Sequence, residues 1–153
     1  MSSILLLRPM LVSVNRVTGF DREGKRLLRI LGLVALGGVI GAVARAAIEA
    51  AWPHSPETIG WATLLINVSG CFLIGLLLGA IGRYRPDQEL IRPFLGVGVL
   101  GGYTTFSTHI VEVLQLIEHG RPELGFAYLA LQLGTGVIAV AIGAWIFELE
   151  TRR

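Results

Sequence analysis

The chain has 153 residues, 53% of them hydrophobic and 16% charged, with a mean hydropathy of +0.67. A soluble domain carries about 25% charged residues, so this composition excludes an ordinary soluble enzyme, and a net charge of +2 is too small to argue for nucleic acid. The single cysteine, Cys71, excludes an intrachain disulfide, and no cluster of Cys and His suggests a metal site built from side chains.

Residues 1–28 stand apart. Ile4 to Leu7 is apolar but short, whereas a secretory signal needs a charged start and an apolar run of about 7–15 residues. We expect an uncleaved, mostly disordered basic tail over 1–28 and a membrane domain over 29–153. Four apolar blocks follow, about Ile30 to Trp52, Gly60 to Ile81, Pro93 to Ile117 and Leu124 to Phe147. Each is long enough to cross a hydrocarbon core of about 30 Å at about 1.5 Å per residue. Trp52, Trp61 and Trp145 lie near block ends, where an indole suits the headgroup boundary. Trp52 to Pro56 and Arg83 to Asp87 read as turns. The fold class is an all-α membrane protein with four transmembrane helices. Lys and Arg are concentrated before the first block, between the second and third, and at the C terminus, with Arg121 alone on the opposite side and Arg45 inside the first block. The positive-inside rule then puts both termini in the cytoplasm of a multi-pass plasma-membrane protein.

The third block is written unlike a membrane helix. Gly101 to His109 reads GGYTTFSTH. Glycine weakens a helix, and clustered Ser and Thr compete for backbone hydrogen bonds. Irregular backbone at membrane depth survives only where protein or a water-filled cavity satisfies it, so a third helix broken near its middle is a candidate site for an ion or small polar solute. Other polar residues in the spans converge on it. Asn67 sits mid-way along the second block with Thr63 four residues earlier on the same face; its amide suits either a bridge between helices or a donor to an anion. Phe106, His109 and Glu112 form one stripe, in which His109 and Glu112 either line a site or pair with each other. Glu112 falls near the end of the block, where we expect a membrane interface. Tyr128 in the fourth block has a phenol that needs a partner when buried, with Gln132 one turn on. Arg45 either snorkels to the interface or serves a subunit contact, and its charge would attract an anion.

GGVIGAVAR (Gly37 to Arg45), TLLINVSGCF (Thr63 to Phe72) and GGYTTFST (Gly101 to Thr108), in that order on four spans, resemble the Fluc/CrcB fluoride channels. The resemblance covers about Leu31 to Phe147, and its third motif is the specific one. It implies an antiparallel dimer of four-helix subunits that exports fluoride passively and lowers fluoride toxicity, a channel and not an enzyme. It implies a central structural Na+ held by backbone carbonyls around Gly101, Gly102 and Thr104. It implies a fluoride pathway through Asn67, Thr63, Phe106, His109, Glu112 and Tyr128, with Arg45 structural or anion-attracting. Amide and phenol donors and the positive edge of a phenylalanine ring are chemistry that suits a small, strongly hydrated anion.

The chain departs from the family pattern at His109, where a second phenylalanine is usual, at Gln132 and at Cys71, where serines are usual. The charge bias also disfavours insertion of one chain in both orientations. Both features favour pairing with a paralogue of opposite orientation over a homodimer. The alternatives are a non-conducting or half-conducting partner subunit of such a heterodimer, or a secondary transporter of a small solute.

Overall fold

The computed structural model describes the backbone of residues 4–84 and 89–151, and the surroundings of side chains over 22–82 and 89–146. Helix α1 spans Ile4–Ala51, α2 spans Trp61–Tyr84, α3 is the short Gly101–Tyr103, α4 spans Ser107–Glu118 and α5 spans Pro122–Thr151. A π-helical segment, Arg92–Leu100, leads directly into α3. The chain is an all-α, multi-span bundle. Three stretches are long and apolar enough to cross a membrane, Arg22–Ala51, Trp61–Gly82 and Pro122–Ile146. The third apolar block is absent from that set because it is interrupted.

Helix α1 runs from Ile4 to Ala51 and so crosses residue 28, where the sequence reading divides a basic tail from the membrane domain. Arg22 to Leu28 is rich in Arg, Lys, Glu and Leu, all good helix formers, and a lone Gly24 costs only about 1 kcal/mol relative to Ala. The division at residue 28 is therefore one of composition, without a change of backbone.

Two backbone-close helix pairs set the bundle. Helix α2 lies along α5, and α1 lies along the π-helical segment and α3. A Cβ on Gly75 would meet Gly143 Cα at 3.1 Å, and one on Gly37 would meet Gly98 Cα at 3.1 Å. Small residues at such crossings let membrane helices approach closely, which replaces the hydrophobic drive that lipid removes. The loop ends are pinned as well. Gly120, at φ +75°, closes α4, with Arg121 N–H donating to Leu116 O at 2.9 Å and Gly120 N–H to Ile117 O at 3.0 Å. These are the paired bonds of a Schellman stop. Arg121 Nη1 then donates to Glu57 O at 3.0 Å, joining the α1–α2 and α4–α5 loops at one end of the bundle. α5 starts on Pro122 with Glu123 in its first turn, both favourable there.

Candidate functional site

The break falls at Thr104 to Phe106, between α3 and α4. This lies within the Gly101 to His109 run, after Gly101 and Gly102, which are helical. The smallness of Gly102 serves packing, since a Cβ there would run into Gly38 of α1, whereas a Cβ on Gly101 would meet only Gly96 O at 3.8 Å. What ends α3 is Thr104. It turns to extended backbone (φ −80°, ψ 154°), and its N–H and Oγ1 both donate to Leu100 O at 3.0 Å. The preceding segment is π-helical; such wide turns are rare and cluster at functional sites.

Asn67 of α2 holds the open chain. Its Nδ2 donates to Thr105 O at 2.7 Å, and its Oδ1 accepts from Thr105 N–H at 2.8 Å. The amide thereby satisfies a peptide unit that the helix has released. One Nδ2 hydrogen remains beyond this clasp. Thr105 Oγ1 in turn accepts from Thr108 N–H at 3.2 Å, capping the new helix. Gly70 of α2 faces Thr104 so closely that a Cβ would strike the Thr104 methyl.

A second polar centre lies further along α4, under the α1–α2 loop. Glu112 is buried; Thr63 Oγ1 donates to its Oε1 at 2.6 Å, and Tyr128 O–H to its Oε2 at 2.7 Å. The Tyr128 oxygen also stands 2.9 Å from Gly60 O, so one phenolic proton serves two acceptors. His54 Nε2 approaches Glu112 Oε1 at 3.5 Å. The carboxylate is at the end of the bundle, as expected, yet enclosed by protein rather than exposed at an interface. The alternative pairing of His109 with Glu112 is not formed. His109 is fully buried with neither ring nitrogen partnered, and its ring stands edge-on to Tyr128 at a centroid distance of 4.4 Å.

Beside the break, a cavity of about 460 Å³ lies along α2 and α5. Asn67, Cys71, Thr104, Thr105, Phe106 and Gln132 are among its walls. Phe106 is 67% exposed, while Gln132 is buried with its Oε1 unpartnered. Arg45 does not snorkel away. Its Nε donates to Gly102 O at 3.3 Å, with Nη1 at 3.5 Å from Glu49.

The CrcB family model, described as CrcB-like protein, Camphor Resistance (CrcB), matches residues 32–144. This chain belongs to the CrcB family. It is 43% identical over 116 residues to fluoride-specific ion channel FluC 1 of Streptomyces coelicolor, covering 76% of this chain and 75% of that protein. It is 44% identical to FluC 2 of Thermobifida fusca over 115 residues, 75% of this chain and 85% of that one. FluC 1 of Mycobacterium tuberculosis is 41% identical over 112 residues, 73% and 85% of the two chains.

In this CrcB-family chain the residues singled out from sequence thus form two centres and a lining. Asn67 sits at the break; Thr63, Glu112 and Tyr128 meet one another; His109 packs on Tyr128; Phe106 faces the cavity. Three participants were not anticipated. Thr105 is the peptide that Asn67 clasps, Gly60 leaves room for the Glu112 carboxylate, and His54 reaches it from the loop. A Cβ on Gly60 would stand 2.5 Å from both carboxylate oxygens. A lone glycine before a tryptophan carries no periodic signal, so sequence gave no way to find it.

The carbonyl cradle can be tested against the cation that the family resemblance implies. Among the described residues no group of three His, Cys, Asp or Glu side chains could hold a metal, so any ion must use backbone oxygens. Thr105 N–H, the ordinary i+4 donor to Gly101 O, is taken by Asn67, which frees that carbonyl. Gly102 O is shared with Arg45. The donor set therefore suits a weakly held, hard monovalent cation at Gly101, and suits it less at Gly102.

Proposed function

We propose that this chain is a subunit of a fluoride channel, a passive exporter that lowers cytoplasmic fluoride, and not an enzyme. The observation that carries the reading is the membrane-depth break whose released peptide is clasped by Asn67, in a chain more than 40% identical to proteins named fluoride-specific ion channels. Fluoride gives up hydration only to directed donors. Asn67, with one Nδ2 hydrogen beyond its clasp on Thr105, and Phe106 both line the cavity, and a ring edge carries the positive end of the aromatic quadrupole. Beyond them, Tyr128, Thr63 and Glu112 form the inner polar centre of the same route, with His109 beside it. In this reading Arg45 ties α1 to the break through Gly102 and adds positive potential.

The cavity is open in a single chain, and lipid cannot satisfy Asn67, Thr105 or Gln132. We infer that a second subunit covers it, in an antiparallel dimer with Na+ at the carbonyls of Gly101, Gly102 and Thr104. When bound, such a cation would neutralise carbonyl dipoles at the break; the chain's own part is to present them. The charge bias places both termini in the cytoplasm and favours a paralogue of opposite orientation as the partner. A half-conducting role within that pair is favoured by His109, whose unpartnered imidazole fills the space beside Tyr128.

The test is fluoride efflux from proteoliposomes containing this chain alone and with a co-expressed paralogue. Efflux from the paired subunits without a proton gradient, and faster than carrier turnover, is the expected result, and efflux from this chain alone would overturn the paralogue pairing. A strict requirement for a proton gradient would overturn the channel reading in favour of a secondary transporter.

A further inference from the structure

We propose that α1, just before its apolar window, binds the phosphate of an anionic phospholipid headgroup. Arg22, Lys25, Arg26 and Arg29 recur at three- and four-residue intervals, the spacing of one helix face. All four line a single concavity of about 380 Å³, closed on the other side by Glu89 and Leu90. Arg26 Nη2 is 2.6 Å from Glu89 Oε2, a pair whose side chains are both more than half exposed. Arg26 is paired with Glu89, and Arg22 and Arg29 have no ion pair among the described residues, so these two guanidinium groups are available to an anion. Guanidinium groups offer forked donors that match phosphate oxygens in pairs.

A positive-inside bias alone would scatter cations through the cytoplasmic segments; it would not gather four around one hollow. Free phosphate would satisfy the same donors, but the surroundings favour a lipid. Leu27, Leu28 and Leu31 are exposed on the same stretch of helix, and Leu90 forms part of the wall. The apolar run of α1 begins at Ile30, directly after Arg29, so the cations stand where α1 would leave the hydrocarbon, at the level of headgroups. Basic clusters in that position attract anionic lipid.

The test uses the full-length protein in detergent, with phosphatidylglycerol, phosphatidylcholine and inorganic phosphate as probes and native mass spectrometry as the readout. Phosphatidylglycerol should bind in preference to phosphatidylcholine. The double substitution Arg22→Gln and Arg29→Gln should raise the half-saturating phosphatidylglycerol concentration by about 30-fold, at about fivefold for each cation near a membrane surface. Both side chains are exposed, so its thermal melting should match the wild type. Equal binding of the two lipids, or undiminished binding by the double variant, overturns the proposal. Full displacement of phosphatidylglycerol by millimolar inorganic phosphate also overturns it, because the site would then belong to a soluble anion.

Discussion

Replacing Asn67 separates the role of its amide in holding the break from any role in passing an anion. The side chain makes two bonds to the Thr105 peptide, at 2.7 and 2.8 Å. Interhelical polar bonds in membranes average about 0.6 kcal/mol and reach about 1.7. Asn67→Ala should therefore cost about 1–3 kcal/mol, read as a lower midpoint of unfolding in detergent. Asn67→Asp is the sharper probe. It keeps the volume and still accepts from Thr105 N–H, but it turns a bare oxygen toward Thr105 O and puts a negative charge on the cavity wall. Under the channel reading it should fold, with a midpoint between those of Ala and the wild type. Its fluoride efflux from proteoliposomes, followed with a fluoride electrode, should fall at least about tenfold, the equivalent of about 1.4 kcal/mol. A folded Asp variant that releases fluoride at the wild-type rate would refute the placing of Asn67 on the pathway.

Gly75→Ala should weaken the α2–α5 contact, because its Cβ would meet the Ala144 amide nitrogen at 3.0 Å and Gly143 Cα at 3.1 Å, backbone atoms that cannot step aside. Overpacking of this kind costs about 1–3 kcal/mol; an unchanged melting temperature by circular dichroism would contradict the packing. Tyr128→Phe removes the donor to Glu112 while keeping the ring beside His109, and should cost about 1.5–3 kcal/mol, the worth of a hydrogen bond to a charged group. Its stability loss should vanish in a Glu112→Gln, Tyr128→Phe double-mutant cycle if the two act only through each other. Cysteine labelling from either side of intact cells, in a Cys71→Ser background, should find the 118–122 loop outside and residue 153 inside in every molecule. Equal labelling in both orientations would favour a homodimer over the paralogue pair.

The four apolar blocks and the interruption of the third were legible because both depend on local composition. Which residue of the Gly101 to His109 run turns the chain was not legible, since glycine has two uses that a sequence does not separate. Gly98 and Gly102 serve close approach to α1, whereas chain direction changes where Thr104 turns its own hydroxyl and amide onto Leu100 O. The polar residues could be picked out one by one, because each is costly in a span. Their grouping could not: Thr63, Glu112 and Tyr128 come from three helices, and His54 and Gly60 from a loop with no periodicity to mark it. Arg45 was undecided for a related reason. Snorkelling and internal bonding need the same long side chain, and only the position of the Gly102 carbonyl decides between them.

The open cavity connects the local chemistry to assembly. Its walls carry Asn67, Thr104, Thr105 and Gln132 beside Leu133 and Val137, and Val137 is 72% exposed. A lipid chain could cover the leucine and valine, but it would leave the second Nδ2 hydrogen of Asn67 without an acceptor, at a cost of several kcal/mol for an unsatisfied group. Water alone would suit the polar atoms and leave the apolar wall wet. A second protein surface with both kinds of group meets both demands. Under the proposed function, the residues that would pass an anion are also those that favour a partner, and a route built at this break would be shared between subunits rather than enclosed by one.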